Sequence, residues 1–130
     1  MTRRLTLIDS SALIETRRRP GCPVAVAVTA AIGDGRAAIC HVVAAELLSG
    51  CRSKREYREF ELVLGGLAWL PLTEECWARA AALGFNLRRA GLTVPLTDRL
   101  VVVTARLHEA ELLHCDAHFD LIADMPDTLE

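Results

Sequence analysis

Four short apolar runs alternate with longer helical stretches along this chain, and that alternation leaves few folds open. The runs lie at residues 5–8, 37–40, 68–72 and 112–115. Between them the spacing of apolar and polar residues predicts helices at 10–15, 23–32, 42–48 and 53–64. Further helices are predicted from Thr73 to the Arg88-Arg89 pair, at 100–108 and at 117–123. Residues 23–32 begin with Pro23 and stop at Gly33-Asp34-Gly35, as a helix does, although their Val-Ala-Val alternation leaves a strand open. Arg17 to Gly21 reads as a basic loop. Strands this short, separated by helices, pack as a parallel sheet covered on both faces. The expected architecture is therefore α/β, with four or five short parallel strands between two helical layers. Ligand sites in such sheets lie beyond the carboxyl ends of the strands, where the strand order reverses.

Composition narrows the class further. Hydrophobic residues make up 52% of the 130 residues and aromatics only 5%, which predicts an aliphatic core within one domain spanning 1–130. The formal charge of −2 gives no overall basic field, so any nucleic-acid contact must come from local clusters. Such clusters occur at Arg17–Arg19, at Arg52, Lys54, Arg55 and Arg58, and at Arg88-Arg89. Five cysteines, an odd number with no CxxC pair, suit reduced thiols. No secretion signal or membrane span is legible, so a cytoplasmic protein without a membrane partner is expected.

Four acids stand where the fold would gather them. Asp9 ends the first apolar run and Asp116 follows the fourth; Asp98 opens a helix that is apolar nearly all round. Glu46 interrupts the apolar stretch Val42-Val43-Ala44-Ala45-Glu46-Leu47-Leu48. Taken singly, Asp9, Asp98 and Asp116 are each explained as helix N-caps. Taken together, four carboxylates at one sheet edge cannot all stay ionised unless a cation joins them. Hard oxygen donors select Mg²⁺ or Mn²⁺, which can acidify water and steady charge on a phosphate.

These segments also resemble a known family. Leu7-Ile8-Asp9-Ser10-Ser11-Ala12-Leu13-Ile14 is similar to the opening motif of PIN domains, and Val43-Ala44-Ala45-Glu46-Leu47-Leu48-Ser49-Gly50 to their second. Leu96-Thr97-Asp98 with its apolar helix resembles the third motif. The segment from Leu113 to Ala123, with Phe119 three residues after Asp116, resembles the fourth. The order and spacing match over most of the chain, and the compact length resembles the VapC toxins of bacterial toxin–antitoxin pairs.

The resemblance implies a PIN-like α/β/α sandwich and an Mg²⁺- or Mn²⁺-dependent endoribonuclease cutting RNA such as tRNA or rRNA. It also implies a VapB-type antitoxin partner and a homodimer. Carried onto matching positions, Asp9, Glu46, Asp98 and Asp116 become the catalytic and metal-holding acids, with Asp120 and His114 peripheral. His114 departs from the family, which often has a hydroxyl residue two positions before the last acid.

Other chemistries fit less well. His114, Cys115 and His118 form a His-Cys-x-x-His, but no second ligand pair accompanies it, as structural zinc would need. No phosphate-binding GxxxxGK[ST] occurs and Gly33-Asp34-Gly35 lacks a third glycine. The alternatives to a nuclease are a catalytically inactive PIN-fold binding module or a receiver-like phospho-acceptor domain. The latter would want an acceptor Asp after the third strand, where Leu70-Pro71-Leu72 stands, and a Lys near the last, whereas the chain's one Lys is Lys54.

Overall fold

Two strands form the buried centre of the sheet in the computed structural model, which describes residues 4–129. They are β1 (Thr6–Ile8) and β2 (Ala37–Ile39), and every residue of both is buried. The edges are β3 (Ala68–Trp69), which is exposed, and β4 (Glu111–Leu113). Edge strands this short offer little unpaired backbone to another chain. The order is β3-β2-β1-β4 and every pairing is parallel, with Thr6 opposite Ala37 on one side and Glu111 on the other.

Seven helices are described: α1 (Ser10–Arg18), α2 (Pro23–Gly33), α3 (His41–Ser49), α4 (Lys54–Gly65), α5 (Glu74–Arg89), α6 (Leu96–Leu107) and α7 (His118–Ile122). The chain steps outward from β1 through β2 to β3, then returns across the sheet to β4. Crossovers of the usual right hand put α1–α4 on one face and α5–α6 on the other. The reversal between β1 and β4 is the switch point at which such sheets hold their ligands.

Most elements form for local reasons. Ser53 caps α4 by accepting from the Glu56 N–H at 3.1 Å, a Ser-x-x-Glu start. Thr73 caps α5 by accepting from the Cys76 N–H, and Glu74 and Glu75 fill its first turn. Residues 23–33 settle as helix, with Pro23 in the first turn and Ala25, Val28 and Ala31 turned inward.

Two expectations change. Arg17 and Arg18 are not in a loop: they form the last turn of α1, where cations meet the negative end of the helix dipole. Arg17 is also held there by Glu59 at 2.8 Å and lies over the Phe60 ring. Helix α6 starts earlier than expected, with Pro95 as its N-cap residue, so that Asp98 sits inside the first turn rather than capping it.

Helices α5 and α6 pack very closely. Arg99, the neighbour of Asp98, crosses between them and donates to Ala80 O at 2.6 Å and Val94 O at 3.1 Å. Its guanidinium occupies the space that a side chain at Gly84 would need. The buried face of α5 is Cys76, Ala80, Leu83 and Leu87, which leaves Trp77 and Phe85 on the solvent side. The buried aliphatic side chains form one continuous core around β1, β2 and α6. Among the described residues, no helix is long and apolar enough to cross a membrane.

Candidate metal centre

The switch point is where the acids collect. Asp9 leaves β1, and its backbone N–H donates to Leu113 O at 2.9 Å, which binds the ends of β1 and β4 together. Its Oδ2 caps α1 by accepting from the Ser11 N–H at 3.0 Å and also accepts from Ser11 Oγ. Ser11 Oγ accepts in turn from the Cys115 N–H at 3.0 Å. One hydroxyl thus fixes Asp9 against the turn that carries Asp116. Only half of the Asp9 carboxylate is used in this way: Oδ1 is buried and has no partner. An anionic oxygen left unpaired in the interior is costly. The N-cap reading therefore holds for Asp9 but accounts for one of its two oxygens.

Asp98 and Asp116 meet across His118. His118 Nδ1 lies 3.0 Å from Asp98 Oδ2 and 3.4 Å from Asp116 Oδ1. The His118 backbone N–H also donates to Asp116 Oδ1 at 2.9 Å, a tight turn that swings the ring back toward the carboxylate. One donor atom from each of these three residues falls within 4.8 Å of the others. Glu46, in α3, feels the charge of the other three acids. Burial raises its carboxyl above the ordinary range, and the charges of Asp9, Asp98 and Asp116 raise it further. Asp98 is raised as well, first by burial; the His118 hydrogen bond opposes that, and Asp116 and Asp9 add to it. Among the described residues, no Arg or Lys forms an ion pair with any of the four carboxylates.

The sequence expectations thus divide. Asp9, Glu46, Asp98 and Asp116 come within electrostatic reach of one another. Asp120 is exposed in the first turn of α7. His114 turns away: its ring packs on Phe119 with centroids 4.7 Å apart, in a small cavity lined by Val102, Leu112 and Ala123. Its Nδ1 is buried without a partner and makes no hydrogen bond to an acid. The His-Cys-x-x-His pattern does not gather either: among the described residues His118 groups with Asp98 and Asp116, not with His114 or Cys115. Ser11 and His118 are the side chains that sequence reasoning left out of the site. Only Ser11 carried a local signal, as a hydroxyl two residues after the acid that follows β1.

The donor set suits a hard divalent cation: several carboxylate oxygens, one of them unpartnered, with no Arg or Lys paired to them among the described residues. A matching set of likenesses accompanies this geometry. Residues 6–125 match the PIN domain. The chain is 37% identical over 123 residues to the VapC ribonuclease Mb1587 of Mycobacterium bovis, across 92% of each chain. It is equally similar to Ribonuclease VapC11 of Mycobacterium tuberculosis. The fold resembles a chain of VapBC2 from Rickettsia felis bound to a DNA fragment from its promoter. That match has a TM-score of 0.76 and 17% identity over 94% of this chain and 96% of that one. It also resembles a chain of a toxin-antitoxin complex from Klebsiella pneumoniae, with a TM-score of 0.72 and 20% identity over 96% of each. By sequence and by fold alike, this chain belongs to the PIN-domain family.

Proposed function

We propose that this chain is a divalent-metal-dependent endoribonuclease, the toxin of a bacterial toxin–antitoxin pair, acting in the cytoplasm on RNA such as tRNA or rRNA. The observation that carries the metal is Asp9 Oδ1, a buried carboxylate oxygen with no partner, among acids that pair with no Arg or Lys of the described residues. The ribonuclease and toxin assignments rest on similarity to VapC ribonucleases over nearly the whole chain.

In this reading Asp9, Glu46, Asp98 and Asp116 hold Mg²⁺ or Mn²⁺. When bound, such a cation acidifies water and neutralises charge developing on a phosphate. The chain's own residues supply position. Ser11 fixes Asp9 and the turn before Asp116, and His118 Nδ1 lies 3.0 Å from Asp98 Oδ2. A cleft of about 280 Å³ beside α3 is lined by Arg18, Arg52 and Phe60 among others. Arg18 and Arg52 have no ion-pair partner among the described residues, and in this reading RNA backbone phosphates are their partners.

The antitoxin is a small VapB-type protein whose basic segment reaches the acids. A guanidinium bridging two carboxylates would meet the same unneutralised charge as the metal. In this reading the chain is a single PIN domain that works as a homodimer.

The deciding experiment incubates structured and single-stranded RNAs with the protein in Mg²⁺, in Mn²⁺ and in EDTA, beside an Asp98→Asn control. Cleavage should need the metal and leave 5′-phosphate and 3′-hydroxyl ends. Products ending in 2′,3′-cyclic phosphate would mean attack by the RNA 2′-hydroxyl and would sink the mechanism. For the partner, the product of the adjacent open reading frame should bind and inhibit; if it does neither, the toxin assignment falls.

A further inference from the structure

We infer that His118 is itself a ligand of the cation through Nδ1, making this a mixed imidazole–carboxylate centre that favours Mn²⁺ over Mg²⁺. The inference rests on the metal-dependent reading above and concerns which atoms hold the ion. Neighbouring ligand atoms on an octahedral divalent ion, each about 2.1 Å from it, stand about 3 Å apart. His118 Nδ1 lies 3.0 Å from Asp98 Oδ2 and 3.4 Å from Asp116 Oδ1, the spacing of such an octahedral edge. All three donor atoms fall within 4.8 Å, so one ion can touch each of them.

The observation independent of this triad is Asp9 Oδ1. Its residue is only 3% exposed, the oxygen has no hydrogen-bond partner, and the Asp9 charge is felt at both Asp98 and Glu46. Asp9 therefore keeps one unsatisfied carboxylate oxygen in the interior, within electrostatic reach of Asp98 and Glu46. The His118 side chain is 44% exposed while that of Asp98 is 11% exposed, so the imidazole stands on the open side by which an ion would enter.

The chemistry then sets the preference. An all-oxygen site suits Mg²⁺, which demands near-ideal geometry and gives up its water reluctantly. An imidazole nitrogen is a poorer partner for Mg²⁺ and a better one for first-row transition ions, of which Mn²⁺ also accepts carboxylates. As a ligand, His118 carries its proton on Nε2 and offers the Nδ1 lone pair. The rival role is a prop: Nδ1–H donating to Asp98 and touching no metal. A prop would support any ion equally.

The test uses the full chain, stripped of metal by chelator and titrated with Mn²⁺ alone or Mg²⁺ alone. Pulsed electron paramagnetic resonance of bound Mn²⁺ should show coupling to an imidazole nitrogen, removed in His118→Ala. That variant should bind Mn²⁺ about tenfold or more weakly by calorimetry, with Mg²⁺ affinity changed less than about twofold. His118→Asp should also lose the nitrogen coupling and shift the balance of affinities toward Mg²⁺. Bound Mn²⁺ without nitrogen coupling in the native chain overturns the inference even where a variant fails to fold. So does an equal loss of both ions in His118→Ala. Failure of the native chain to bind either ion would instead remove the four-carboxylate centre, and the proposed function with it.

Discussion

Two places in this molecule bury aspartate, and they treat it in opposite ways. Asp127, with its side chain 10% exposed, lies between two guanidinium groups, Arg79 and Arg106, each 3.4 Å away. Arg106 also donates to the carbonyls of Ile122, Ala123 and Met125, and Asn86 donates to those of Pro126 and Thr128, so the whole segment is strapped onto α5 and α6. At the switch point Asp9 and Asp98 are buried to a similar degree, but among the described residues they meet other acids and one histidine. A paired buried acid fastens structure. A cluster of unpaired ones keeps the chain less stable than it could be and leaves the missing charge to come from outside.

The sharpest way to break this contrast is to remove an acid from each place. Removing a group that merely supports a metal ligand costs about 10–100-fold. Asp98→Asn, which removes a proposed ligand, should therefore lower RNA cleavage by on the order of 100-fold or more, with circular dichroism unchanged. Near-native cleavage would remove Asp98 from the site. Asp127→Asn should do the reverse. It takes from Arg106 the acid it pairs with and from Arg79 one of two, lowers Tm by roughly 3–6 °C and leaves cleavage per folded molecule intact. Equal losses of activity in the two variants would erase the distinction.

Ser11→Ala sharpens the same comparison on a finer scale. The hydroxyl fixes Asp9 and the Cys115 backbone at once, so its loss should weaken metal binding about tenfold. Unchanged affinity would make Ser11 an ordinary helix-start residue.

The smallest expected effect is on stability without metal. Asp98 and Glu46 are raised in the folded chain, so each holds its proton more tightly there than when unfolded. Their contribution is fully present below the ordinary carboxylate pKa and is lost as pH rises through the raised folded value. In EDTA, Asp98→Asn should therefore melt slightly above the native chain at neutral pH. The gap should close as pH falls to about 4. A gap that ignores pH would mean the charge at Asp98 is not the cause, and added Mn²⁺ should reverse the order by stabilising the native chain alone.

Legibility in the sequence followed the range of the interactions. The four strands and most helix starts were readable because they are set by neighbours: Ser53 with Glu56, Thr73 with its two glutamates, Pro23 before an apolar run. The four acids were readable because each punctuates an apolar segment. Arg17 and Arg18 were misread as loop because what holds that last turn is distant, Glu59 and Phe60 on α4. His114 was drawn toward the acids by its place two residues before Asp116, but its ring packs onto Phe119. His118 was noticed only as half of a zinc pattern, since nothing local in sequence says that a turn brings it to Asp98, twenty positions earlier.

The parallel pairing of β1 with β4 also fixes when the chemistry can begin. Ser11 and the Cys115 amide it accepts from are 104 positions apart, and β4 is the last strand to leave the ribosome. A nascent chain that has folded α1 through α5 still lacks Asp98, Asp116 and the strand that orders Asp9. On the proposed reading it therefore lacks a complete site throughout most of its own synthesis. Contacts so remote in sequence also form slowly, which leaves an interval between the end of translation and the first cut in which a partner can arrive. Chains arrested before residue 111 should bind no Mn²⁺ at this site and cut nothing; cleavage by such a fragment would show that the acids can be assembled without the closing strand.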